Sequence, residues 1–81
     1  MDKSFSDILF QDFLRLLEDY LVGKENISVE FLVNGFEDYL EGYYLDIYNY
    51  EELYVSKLNN ALRKLEYLKK IKIENNRIIV L

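Results

Sequence analysis

Ser56, Asn60, Arg63 and Tyr67 recur at spacings of four, three and four residues. On a helix those spacings put the four side chains in one outward line. Asn59 and Lys70 border the line on one side, Lys57 and Lys64 on the other. Asn and Arg have the shape for bidentate contacts to adenine and guanine edges in the major groove. Lys and Ser suit phosphate oxygens, and Tyr67 offers a ring to stack or to pack against sugar. Lys72 and Arg77 carry positive charge beyond the helix, beside Asn75 and Asn76. The chemistry implied is recognition of a polyanion, with double-stranded DNA as the expected partner. A plainer reading competes, in which this is the solvated face of an amphipathic helix. The helix dipole then accounts for Lys69 and Lys70 near the C-terminus, but not for Lys72 and Arg77.

A second constellation is acidic. Glu37, Asp38 and Glu41 lie close on a predicted helix, with Asp46, Glu51 and Glu52 beyond. They read as a surface that mimics phosphates to occupy a basic partner, as a divalent-cation site, or as a solvated face. Glu51 and Glu52 are also favoured simply by a helix start. The Asx-rich calcium-loop pattern is absent, so no metal is expected. Tyr43, Tyr44, Tyr48, Tyr50 and Tyr54 crowd the same region. Tyrosine is enriched in binding hot spots, although a tyrosine also covers a core with its hydroxyl in water. Glu37, Asp38, Glu41, Tyr43, Tyr44 and Tyr48 therefore form an alternative surface, suited to a host protein.

These two regions divide the charge. Residues 1–52 hold Lys3, Arg15 and Lys24 against thirteen carboxylates, a formal charge of −10. Residues 53–81 hold seven cations against Glu66 and Glu74, a formal charge of +5. The chain has neither cysteine nor histidine. That excludes disulfides, thiolate nucleophiles and Cys-based zinc sites, and removes the commonest general base. With glycine only at 23, 35 and 42, there is no phosphate-binding Gly-rich loop. A chain of 81 residues leaves little room for a substrate cleft. No enzyme activity, cofactor or small-molecule substrate is expected. No segment approaches the ~18 apolar residues of a membrane span, and the acidic start does not resemble a signal peptide. The expected location is the cytoplasm, or the host cytoplasm for a viral protein, with no membrane partner. The lean towards Lys, Asn, Ile, Tyr and Phe is what AT-rich codons supply, and small mobile-element proteins share it.

The elements that must position these residues form one domain over 1–81. A first helix of about 17 residues is predicted to begin at Ser4 or Ser6, with Asp7 in capping-box position after Ser4. Gly23 suits the left-handed residue that ends it. Its apolar arc is wide, through Leu9, Phe10, Phe13, Leu14, Leu16, Leu17 and Leu21. The surplus points to deep burial or to a homodimer through residues 8–21. A second helix is predicted from Ser28 to Glu41, with Gly42 as its stop. Ile27, Val29, Phe31 and Val33 also alternate as a strand does, and Asn34-Gly35 is a turn signal. The expectation is a helix with a short strand at its start. A tyrosine-rich connector follows over 43–50. Asn49 with Glu52 resembles a capping pair for a third helix, which reaches about Leu68. A break near Ser56, with Ser56 capping a shorter helix, is an alternative. At the end, Asn75-Asn76 makes a two-residue hairpin turn. The register then sets Glu74 against Arg77, Ile73 against Ile78 and Ile71 against Val80.

Helices followed by a hairpin make a mainly α fold with a C-terminal β-hairpin, three helices then two antiparallel strands. Residues 55–81 resemble the recognition helix and wing of winged helix-turn-helix domains. The shared pattern is a small or hydroxyl residue at the helix start, then Ala61-Leu62, Leu65 and Leu68. An Ile-rich strand, a turn at Asn75-Asn76-Arg77 and a return strand complete it. The resemblance implies DNA binding, transcription regulation or a replication accessory role. The connector before the third helix is longer than that family's usual turn, and the first half is acidic. The competing function is a protein-interaction module, such as an inhibitor of a host enzyme, acting through the acidic, tyrosine-rich surface.

Overall fold

Helices and strands follow in the order α1 (Phe10–Leu21), β1 (Asn26–Ser28), α2 (Val29–Glu41), α3 (Glu51–Tyr67), β2 (Ile71–Glu74) and β3 (Arg77–Val80). These positions come from a computed structural model, which describes residues 3–81. The strands form one antiparallel sheet in the order β1-β3-β2. The hairpin register is the expected one, with Glu74 opposite Arg77, Ile73 opposite Ile78 and Ile71 opposite Val80. Asn75 and Asn76 have φ of 51° and 59°, the left-handed pair that lets a two-residue turn match strand twist. Strand β1 adds itself to β3 with Ile27 opposite Ile78. Ile27, Ile71 and Ile78 are all buried on the inner face.

The first helix is shorter than its apolar run suggests. Residues Phe5–Asp7 form a separate 3-10 turn, and α1 begins only at Phe10. The cause lies far along the chain. Asp46 accepts hydrogen bonds from the Phe5 N–H at 2.9 Å and from the Ser4 hydroxyl at 2.7 Å. Ser4 in turn caps the 3-10 turn by accepting from the Ser6 N–H. Pinned this way, Phe5 is fully buried, and the chain turns through extended residues at Ile8 and Leu9 before α1 starts. Phe13, Leu17 and Leu21 of α1 are buried, and Leu14, Leu16 and Tyr20 pack at the core margin. Leu9 and Phe10 remain exposed. Gly23 ends the helix region at φ 84°, as a left-handed residue should.

The short strand expected before the second helix is present. Ser28 ends β1 and caps α2, its hydroxyl accepting from the Phe31 N–H. The Val29 N–H donates to the Asn76 carbonyl at 2.9 Å, so the hairpin tip rests against the start of α2. The strand-like alternation beyond Ser28 is overridden by helix, and Asn34-Gly35 lies inside α2 rather than in a turn. At Gly35 the absent side chain lets α1 approach, since a Cβ there would collide with the Tyr20 hydroxyl. A 3-10 turn at Ile47–Asn49 then leads into α3. Two cap expectations fail. Tyr50, not Asn49, precedes the helix, and it makes no side-chain cap bond. Ser56 does not break α3, which runs unbroken for 17 residues, because Tyr54, Leu58, Ala61, Leu62 and Leu65 keep one continuous buried stripe.

Helix α3 stops without glycine. Lys69 takes φ 61°, the Lys70 N–H donates to the Leu65 carbonyl, and the Lys69 N–H donates to the Glu66 carbonyl. These two bonds are the Schellman pattern that satisfies the last carbonyls. The centre of the fold is aromatic. Phe13 meets Phe36 edge-on at 5.5 Å between ring centres, and Phe5 meets Tyr44 edge-on at 5.7 Å. Tyr54 is buried among Phe5, Phe13 and Phe36, and its hydroxyl donates to the Val33 carbonyl at 2.6 Å. Fully burying rings of this size contributes roughly 1.5–3 kcal/mol each. Burial also pushes the Tyr54 phenol up, with the Glu37 charge next in effect.

Candidate nucleic-acid interface

The buried stripe of α3 fixes what its opposite face presents. Ser56, Asn59, Asn60, Arg63, Lys64 and Tyr67 are all exposed, and Lys57 is half-buried at the flank. Ser56, Asn59, Asn60 and Arg63 make no side-chain hydrogen bond or ion pair among the described residues. Lys64 lies 5.9 Å from the centre of the Tyr67 ring, a loose cation–π approach. The spacing read from the sequence therefore holds in space, and its groups are free to engage an outside partner. A hollow of about 650 Å³ runs along this face. Ser56, Asn59, Asn60 and Arg63 line it, and so do Glu51, Glu52 and Val55. Two carboxylates thus stand at the N-terminal end of the polar line.

The cations outside α3 are differently placed. Lys70 reaches Glu18 of α1 at 3.4 Å, and Lys72 is paired with Glu74 at 2.8 Å. Glu74 raises the Lys72 pKa through that hydrogen bond and its charge. Arg77 donates from Nε to the Asn26 Oδ1 at 2.6 Å, tying β3 to β1. Of the cations of residues 53–81, Lys57, Arg63, Lys64, Lys69 and Arg77 have no carboxylate partner among the described residues, Arg77 being held by the amide oxygen of Asn26. Glu66 shares the outer part of α3 but turns to the sheet. Its carboxylate accepts from the Ile73 N–H at 3.3 Å, covering a donor on the free edge of β2.

The acidic constellation is brought together in part. Glu37 feels the charges of both Glu51 and Asp38. Burial first, and then these two charges, raise its pKa. The Tyr48 hydroxyl donates to Asp38, and that bond, with the nearby carboxylates, pushes the Tyr48 phenol up to about 12. Tyr43 and Glu41 are exposed beside them. Tyr44 does not belong to this surface. It is buried against Phe5, and desolvation raises its pKa. Asp46 also leaves the acidic surface for its bonds to Ser4 and Phe5, which hold its carboxyl below the usual carboxylate range. Sequence spacing gave no sign of that role, since the partners lie 42 and 41 residues away. Among the described residues no cluster of His, Cys, Asp and Glu has the geometry to hold a metal ion.

Three helices followed by a small antiparallel sheet is a layout compatible with a winged-helix-like fold. No family model, curated protein or solved structure matches the chain. Among the described residues no helix is long and apolar enough to cross a membrane.

Proposed function

We propose that this chain is a small winged-helix DNA-binding protein, a regulator or replication accessory, that meets the duplex with the middle and C-terminal half of α3. One observation carries the reading. The outward line of α3 and its borders hold Asn60 and Arg63, with Asn59 and Lys64 beside them, all exposed on one helix and with no carboxylate partner among the described residues. Asn and Arg so placed suit base edges, and Lys57, Lys64 and Lys69 suit flanking phosphates. Glu51 and Glu52 repel phosphate at the first turn of α3, which sets the contact towards the C-terminal half of the helix. The hairpin acts more as a support than as a projecting wing, because its tip is bonded to Val29 and Arg77 to Asn26. Fluorescence anisotropy with labelled duplexes at low salt tests the reading. Binding is expected, and Arg63→Ala with Lys64→Ala should remove most of it. No binding at low salt, or full binding by that variant, refutes the reading.

A second reading rests on a different observation. The Glu37 pKa is raised by burial first and then by the charges of Glu51 and Asp38, and Tyr48 donates to Asp38 and is exposed, as is Tyr43. A surface that keeps like charges together suits a basic protein partner. In that case charge reversal at Glu37, Asp38 and Glu41 abolishes capture of the partner, and DNA does not bind.

A further inference from the structure

Phe31 opens the first turn of α2 with 71% of its surface exposed. A hollow of about 440 Å³ beside it is lined by Lys24, Asn26, Ile27, Ser28, Phe31 and Arg77. The two cations there are held by neutral groups. Lys24 donates from Nζ to the Tyr20 carbonyl at 2.8 Å and lies 4.1 Å from the centre of the Tyr20 ring. Arg77 donates to the side-chain oxygen of Asn26. Neither makes an ion pair among the described residues. Glu74, opposite Arg77 in the register, is engaged by Lys72. Both charges therefore stay unneutralised while their side chains are already ordered. Ordering such long side chains costs conformational entropy, and here the fold has borne part of that cost before any partner arrives.

We infer that this hollow docks an acidic segment of a partner protein, one that sets an aromatic or aliphatic side chain beside carboxylates. The ring of Phe31 offers apolar area to the partner's side chain, and Lys24 and Arg77 offer charge to its carboxylates. Phosphates of a duplex would use the two cations, but the wholly apolar ring of Phe31 is matched more fully by a partner's apolar side chain, so a protein segment fits better than DNA. The surface is separate from the outward line of α3, and it does not depend on the DNA-binding reading.

The test is selection of a displayed random-peptide library on the full chain. Selected peptides, made synthetically, are then titrated while backbone amide resonances are followed. The expected result is enrichment of Asp and Glu next to an aromatic or aliphatic residue, with shifts at Lys24, Asn26, Phe31 and Arg77. Phe31→Ala with Arg77→Gln should weaken binding about tenfold or more, with the amide spectrum elsewhere unchanged. Lys24→Gln, made separately, should weaken it through charge alone. Selection of nothing, selection without acidic enrichment, or equal binding by the variants overturns the inference. So does displacement of the peptides by a DNA duplex that shifts the same four resonances, because the hollow would then be part of a DNA surface.

Discussion

Salt dependence of DNA binding offers the sharpest reading of α3. Lys57, Arg63, Lys64 and Lys69 carry their charges free of carboxylates among the described residues. If each neutralises one phosphate, the affinity should fall with log salt at a slope of about −3.6, since each contact contributes about −0.9. Raising salt from roughly 50 to 200 mM should then weaken binding about 150-fold. Arg63→Ala with Lys64→Ala leaves two of the four contacts, so the slope should drop to about −1.8 and the same salt step to about 12-fold. Both side chains are exposed and neither packs in the core, so the variant should fold as the parent does. Equilibrium anisotropy at five or six salt concentrations gives the slope directly, and circular dichroism checks the fold. Equal slopes for parent and variant would refute the assignment even if both bind, because the two charges would then lie outside the contact. A slope much steeper than about −3.6 would show that cations beyond these four reach phosphate, either Arg77 or, by giving up an internal carboxylate, Lys70 or Lys72.

Other consequences follow from the same contacts. Glu51→Gln with Glu52→Gln removes the two carboxylates at the end of the α3 hollow, and duplex affinity at low salt should rise, as anisotropy will show. Tyr54→Phe deletes the buried hydroxyl that donates to the Val33 carbonyl, and urea unfolding should register a loss of about 1 kcal/mol. Asp46 has its pKa lowered by the Phe5 N–H and the Ser4 hydroxyl. Its stabilising contribution should be complete above the ordinary carboxylate range and vanish as pH falls through the lowered value, so Asp46→Asn should cost stability at neutral pH and little in strong acid. Glu37 has the opposite sign, its pKa being raised by burial, Glu51 and Asp38. Glu37→Gln should therefore stabilise the chain at neutral pH, with the gain shrinking as pH falls below the raised value; thermal melts across pH 3–7 will separate the two.

The hairpin was almost fully legible. Its register follows from three features adjacent in the chain, the Ile alternation, two asparagines that accept positive φ, and a Glu-Arg pair at the tip. The outward line of α3 was legible for a similar reason, since helical periodicity assigns faces as soon as a buried stripe is recognised. The division at the start of the chain is not legible, because apolar residues recur at helical spacing from Ile8 to Leu21 and capping residues precede them at Ser4 and Ser6. What divides it is Asp46, brought there by the connector. The stop at Lys69 was hidden too, because a left-handed lysine has no sequence signature as glycine does. Tyr44 and Tyr54 looked like their neighbours in the tyrosine-rich stretch, and only packing against Phe5, Phe13 and Phe36 separates them from exposed Tyr43 and Tyr48.

By itself, then, the amino-acid order determined the local features: three amphipathic helices, a hairpin with its register, an acidic first part and a basic end. Each depends on neighbours within one or two turns or across one tight turn, where spacing alone sets which side chains meet. Tertiary structure decided which charges are free. It paired Lys70 with Glu18, gave Arg77 to the neutral side chain of Asn26, and left Lys57, Arg63, Lys64, Lys69 and Arg77 without carboxylate partners among the described residues. It also brought β1 beside β3 from the other end of the chain, which placed Phe31, Lys24 and Arg77 around one hollow. Such pairings join residues tens of positions apart. Their free energies are small beside the burial that folds the core, so they follow from where that burial places the elements.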